Sequence, residues 1–176
     1  MLARMLDAMS NSPTKPDVSL LARFMTLLGR LFQIRDDYMN LTSADVSFLG
    51  NTPNTNQLTN IRYQYTKQKG FCEDLDEGKY SLPLIHALGS SGTLGAARNG
   101  FNNAGVIRSL LSQRHSGGRL SLDQKKLLLQ QIKDAGSLEY TRQALDALQR
   151  ELKDMATQMG MYEDANLRVL LEVLKV

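Results

Sequence analysis

The chain has 176 residues, 42% of them hydrophobic, with 21 basic against 18 acidic side chains and a formal charge of +3. That is enough apolar material for the core of one domain, or of a piece of a larger one. The basic residues are scattered, which argues against a nucleic-acid surface. The lone Cys72 excludes an internal disulfide and suits a reducing compartment. No apolar run reaches the ~18 residues of a membrane span, and the N-terminus carries no signal-peptide pattern.

Met1 to Met9 reads as helix, with Leu2, Met5, Leu6 and Met9 on one face. Asn11-Ser12-Pro13-Thr14-Lys15-Pro16 breaks it, and Asp17 is placed to cap the next helix. That helix is predicted from Val18 to Leu41, with Leu20, Leu21, Phe24, Leu27, Leu28 and Leu31 at helical spacing. Thr42 to Gln68 is different in kind: Asn51-Thr52-Pro53-Asn54-Thr55-Asn56-Gln57 has no apolar period and reads as loop or disorder. Ser81 is predicted to cap a short helix with Pro83 in its first turn, where a missing N–H costs little. Gly89-Ser90-Ser91-Gly92 is a breaker, and a helix is expected over Ala104 to Gln113. Ser121 and Gln124 form a capping-box pattern for a helix running to Ala135. Gly136 ends it and Ser137 starts a long helix carrying Leu145, Leu148, Leu152, Met155 and Met159, which Gly160 ends. A last helix holds Leu167, Leu170, Leu171 and Leu174. No strand pattern and no repeat is present, so the class is all-α.

The candidate chemistry sits at the end of the second helix. In Phe32-Gln33-Ile34-Arg35-Asp36-Asp37-Tyr38-Met39-Asn40-Leu41, residues Gln33, Asp36, Asp37 and Asn40 fall at i, i+3, i+4 and i+7, on one face. An oxygen-rich stripe on a mostly apolar helix suits a hard cation such as Mg2+ bridging to a phosphate. Lys69 and Lys79 flank an acidic, glycine-containing stretch and can each meet a phosphate oxygen as point charges. Together these residues describe a magnesium–diphosphate site, which would let an allylic diphosphate ionise with no protein nucleophile. Taken alone, Asp36 and Asp37 beside Arg35 read better as a solvated helix end than as a metal site. Glu73, Asp74, Asp76 and Glu77 read as an exposed acidic loop capping a helix, with a second metal site as the alternative; His86 reads as a packed core residue rather than a ligand, and His115 as a loop residue. Cys72, next to Glu73 and Asp74, reads as structural rather than nucleophilic.

Two long segments carry a family resemblance. The decapeptide from Phe32 to Leu41 is one. The other is Lys69-Gly70-Phe71-Cys72-Glu73-Asp74-Leu75-Asp76-Glu77-Gly78-Lys79-Tyr80-Ser81-Leu82-Pro83-Leu84-Ile85-His86-Ala87-Leu88. Both resemble the fungal-type geranylgeranyl diphosphate synthases of the polyprenyl synthase family, and Asp134 to Arg142 resembles their C-terminal segment. The resemblance implies the C-terminal portion of the all-α isoprenoid synthase bundle, usually dimeric. It also implies condensation of an allylic diphosphate, farnesyl diphosphate, with isopentenyl diphosphate, using Mg2+. It would make Asp36 a ligand of Mg2+ on the allylic diphosphate, with Asp37 supporting that metal. Gln33, Asn40, Lys69 and Lys79 would bind the allylic diphosphate; Asn40 stands where many prenyl synthases have a third aspartate.

The family's first aspartate-rich motif, its isopentenyl diphosphate site and its chain-length residues have no counterpart here. On this resemblance, residues 1–176 are one partial domain, inactive alone. They come from a stand-alone synthase, from the C-terminal prenyltransferase domain of a bifunctional terpene synthase, or from a non-catalytic remnant or partner subunit. The expected compartment is the cytoplasm, and association with a second chain through helices is expected. Residues 46–64 interrupt what otherwise resembles a continuous family linker. Val46-Ser47 can encode a 5′ splice signal and Thr59-Asn60 a branch sequence, so the stretch reads as a retained intron or a surface-loop insertion, which costs little. Sequencing the transcript checks this: most mature copies are expected to lack the codons for 46–64, and a message that keeps them rules the intron out.

Overall fold

The computed structural model describes residues 17–48, 72–89 and 103–176. The predicted helix over Met1 to Met9, the breaker after it, Lys69, and most of 46–64 lie outside the described residues. Among the described residues every regular element is helical. They are α1 (Val18–Phe48), α2 (Glu73–Glu77), α3 (Leu82–Gly89), α4 (Asn103–Gly117), α5 (Leu122–Asp134), α6 (Ser137–Gln158) and α7 (Ala165–Val173). The all-α class read from the sequence is the class of the structure. None of these helices is long and apolar enough to cross a membrane.

The chain divides into two compact units, residues 1–35 with 143–176, and residues 36–142. In the first unit, Asp17 caps α1 as expected. Its Oδ1 accepts from Ser19 N (2.9 Å), Ser19 Oγ (2.6 Å) and Leu20 N (3.3 Å). The Ser19 hydroxyl first, then the two backbone amides, hold its carboxyl below the usual aspartate range. Phe24, Leu27 and Leu31 are buried, as are Leu145, Leu152, Met155 and Ala156 of α6 and Leu171 of α7. Arg35 donates from its guanidinium to the Val173 carbonyl at 3.2 Å, satisfying one of the open acceptors at the end of α7. Asp164 caps that helix by accepting from Asn166 N and Leu167 N.

The second unit is built on a core of Leu41, Cys72, Leu75, Leu84, Ala87, Ile107, Leu110, Leu120, Leu128, Leu129 and Ile132. Helices α3, α4 and α5 pack on one another around it. Each fully buried Leu or Ile contributes roughly 1.5–3 kcal/mol over an exposed one. The capping box predicted at Ser121 and Gln124 is formed in both directions. Ser121 Oγ accepts from Gln124 N at 3.2 Å, and Gln124 Oε1 accepts from Ser121 N at 2.9 Å. Gly136, at φ 69, makes the left-handed step between α5 and α6 that an L side chain would strain.

Three boundaries differ from the sequence reading. Helix α1 runs to Phe48 rather than Leu41, taking in the first residues of the loop expected over 42–68 and of the stretch 46–64. Thr42 to Phe48 contains neither Gly nor Pro, and once nucleated a helix adds residues at little cost. Helix α4 extends to Gly117, so the backbone at His115 is helical and not a loop. The acidic stretch at 73–77 is the short helix α2 and not a loop. Replacing Ser121 with alanine breaks the capping box and is expected to destabilise the chain by about 1 kcal/mol. A urea-unfolding midpoint measures it, and an unchanged midpoint would remove the box from the fold's stability.

Candidate functional site

The residues of the polar stripe differ sharply in burial. Gln33, in the first unit, is exposed. In the second unit Asp36 is half-buried, while Asp37 and Asn40 are buried at 6% and 3% exposure. The stripe is therefore no solvated helix end. A buried carboxylate requires a partner, and Asp37 has one: its Oδ1 lies 2.7 Å from Lys79 Nζ. Asp74 Oδ2 stands 3.4 Å from the same ammonium. Both aspartates are almost withdrawn from solvent, and Lys79 keeps about a third of its side chain exposed. Partial burial alone would push the Lys79 ammonium down. The hydrogen bond and charge of Asp37, and then Asp74, more than reverse this and raise it above the usual 10.5.

The turn after α2 explains how Lys79 comes to lie there. Gly78 takes a left-handed conformation, φ 69 and ψ 29, just past the last helical residue. The next amide, Lys79 N, then donates back to the Asp74 carbonyl at 3.0 Å. This is the reversal by which glycine ends helices. It folds Lys79 back toward the first turn of α2, where Asp74 sits. Asp74 is 7% exposed and Leu75 1%, which corrects the expectation of an exposed acidic loop; only Glu73 and Glu77 are exposed. The sequence carried a usable sign of this, a glycine one residue before a lysine and four after an aspartate.

Asn40 is unusual. Both side-chain atoms, Oδ1 and Nδ2, are buried without a hydrogen-bond partner among the described residues. Leaving buried polar atoms unpaired costs about 1–3 kcal/mol, so the amide is open to a partner that the described residues do not supply. No cluster of three or more His, Cys, Asp or Glu side chains that could hold a metal occurs among the described residues. Asp36 and Asp37 thus offer two neighbouring carboxylates and no closed cage. That donor set fits Mg2+, which takes one or two carboxylates and fills its octahedron with water and phosphate oxygen.

His86 is not the core residue expected. It is half-buried, its Nδ1 lies 2.9 Å from Ser137 Oγ, and its ring stacks on Tyr140 with centroids 4.1 Å apart. Cys72 is fully buried, in keeping with a structural role. Sequence reasoning also missed the pair formed by Asp76 and Lys125, which are far apart along the chain.

The raised Lys79 has a consequence for stability. Its contribution is fully present below the ordinary value of 10.5 and is lost as pH rises through the higher folded value. Lys79→Met is expected to lower stability at neutral pH, because it strands Asp37 and Asp74, and to abolish this alkaline loss. Thermal melts across pH measure both, and parallel curves for the two proteins would contradict the pairing.

No family model matches the chain. Phomopsene synthase of Phomopsis amygdali is 44% identical over 180 residues, covering all of this chain and 20% of that protein. A bifunctional sesterterpene synthase of Talaromyces wortmannii is 40% identical over 182 residues, again all of this chain and 20% of that protein. Geranylgeranyl pyrophosphate synthase A of Phomopsis amygdali is 39% identical over 155 residues, 88% of this chain and 33% of that protein. The chain spans about a fifth of the length of the terpene synthases it matches and a third of that of the geranylgeranyl pyrophosphate synthase. Its sequence is similar to parts of enzymes named for making terpenes and geranylgeranyl pyrophosphate.

Proposed function

We propose that this region binds the allylic diphosphate in a prenyltransferase that condenses farnesyl diphosphate with isopentenyl diphosphate to geranylgeranyl diphosphate. The observation that carries the reading is the Asp37–Lys79–Asp74 group together with the Asn40 amide, three residues on from Asp37 along α1 and without a partner among the described residues. It joins carboxylates, an ammonium and an unused hydrogen-bonding group, which are the parts a metal-bound diphosphate requires. Asp36 and Asp37 would hold Mg2+. When bound, the metal would neutralise charge developing on the departing diphosphate. Lys79 places a fixed positive charge at the same spot, with its ammonium oriented in advance by the aspartates. Asn40 would donate its amide hydrogen bond to a diphosphate oxygen or to water on the metal. Gln33 and Lys69 belong to the same reading, Lys69 as a second cation.

The parent is proposed to be a bifunctional terpene synthase with this region in its C-terminal prenyltransferase domain. What favours this over a stand-alone synthase is the extent of the match. Two terpene synthases align with the chain from end to end, the geranylgeranyl pyrophosphate synthase with 88% of it. Association through helix faces is part of the proposal, supported by Val169 and Val173 of α7, each 62% exposed. The proposed compartment is the cytoplasm, which suits the free thiol of Cys72.

The test is direct. The purified chain, given farnesyl and isopentenyl diphosphates with Mg2+, is expected to release no geranylgeranyl diphosphate. Grafted in place of the aligned region of the Phomopsis geranylgeranyl pyrophosphate synthase, it is expected to support synthesis. In that chimera Asp36→Ala should lower turnover by about 100-fold or more, the scale of losing one transition-state charge contact. A folded chimera that forms no product, or one indifferent to Asp36→Ala, refutes the assignment.

A further inference from the structure

Helix α2 has only five residues, Glu73–Glu77, too few to hold a helical turn unaided. Two apolar anchors seat it in the core: Cys72, with no exposed surface, and Leu75, with 1%. Apolar contacts are non-directional and set the depth of a helix better than its rotation. Rotation matters here, because Asp74 must face Lys79 and Asp37.

A second ion pair fixes it. Asp76 Oδ2 lies 2.5 Å from Lys125 Nζ, and both side chains are 13% exposed. The other oxygen, Asp76 Oδ1, accepts from the Leu120 amide at 3.2 Å. Both carboxylate oxygens are therefore engaged by the segment that leads into and begins α5. That segment is rigid. Leu120 is buried, the Ser121–Gln124 capping box closes the helix start, and Lys125 N donates to the Ser121 carbonyl at 3.0 Å. Lys125 lies close to the N-terminus of α5, where the helix dipole disfavours a cation. Its position there makes sense through Asp76, not through α5 itself.

Residues two apart on a helix point about 200° away from each other. Holding Asp76 on Lys125 and Leu120 therefore turns Asp74 the other way, to the ammonium of Lys79. We propose that Lys125 is a positioning residue: its ion pair with Asp76 sets the rotation of α2 so that Asp74, on the opposite face, holds Lys79 beside Asp37. As far as it concerns a ligand, this rests on the reading that Lys79 and Asp37 meet a diphosphate.

The experiment has one readout that needs no ligand and one that does. The first is the set of NMR proximity contacts from the Lys79 side chain to Asp74 and Asp37, followed in the full chain at neutral pH and assigned by their loss in Lys79→Met. The second is the affinity for inorganic pyrophosphate with Mg2+, by calorimetry. In Lys125→Met the contacts between Lys79 and Asp74 are expected to be lost, and pyrophosphate affinity to weaken about 10- to 100-fold, as for other supporting residues of metal sites. Lys125→Arg, which keeps the pair, should restore both. Asp76→Asn should reproduce the loss, and the double variant should be no worse than either single one, since one interaction is broken once. A general loss of stability would lower the melting temperature without removing the Lys79–Asp74 contacts in folded protein. A folded Lys125→Met with the parent's contacts overturns the proposal, as does a double variant whose losses add. If Lys125→Met does not fold, Asp76→Asn, nearly identical in shape to the parent side chain, decides by the same contacts. A parent chain with no affinity for pyrophosphate would instead sink the diphosphate reading, leaving the contacts to judge Lys125.

Discussion

Two aspartates that have nearly left solvent and one ammonium between them form the constraint on which the second unit depends. Carboxylates in such places are tolerated only when compensated, and here compensation comes from outside α1. Asp37 is brought by the late turns of α1, Asp74 by a five-residue helix, and Lys79 by a left-handed glycine that folds the chain back. Remove any one of the three elements and the charges on the others are left exposed to a low-dielectric surrounding with nothing to answer them. The site is thus also a fastening between α1 and the segment that follows 72, made at the level of charge and not of apolar contact.

The same arrangement does not by itself suit a polyanion. A net count of two carboxylates against one ammonium around Lys79 leaves negative charge, which a divalent cation would balance before a diphosphate could approach. The similarity to terpene and geranylgeranyl pyrophosphate synthases is independent of this geometry, since it was drawn from sequence identity along the chain.

Much of this was legible in the sequence where local rules act alone. The capping box at Ser121, the aspartate cap at Asp17, the left-handed glycines at 136 and 160 and the apolar spacing of α6 all follow from contacts within a few residues. What could not be read was set by tertiary partners. Asp74 looked solvent-facing because aspartates usually are; only the return of Lys79 makes its burial affordable. Asp76 and Lys125 are 49 positions apart, and no local pattern links them. His86 looked apolar by its neighbours in the chain, yet Ser137 and Tyr140, far along the sequence, give its ring polar and stacking partners. The run of α1 past Leu41 is the opposite case: polar composition alone does not stop a helix where no residue opposes it.

Asn40 marks a place where stability and chemistry part. Its amide is buried with neither of its polar atoms matched by the described protein. A leucine of similar size would relieve that mismatch and add apolar contact, so screening this chain for thermostability alone would favour the change. Such a variant would melt later while losing a buried amide whose hydrogen-bonding capacity the described residues leave unused. On the proposed reading, selection by heat and selection by turnover would therefore drive this one position toward different residues.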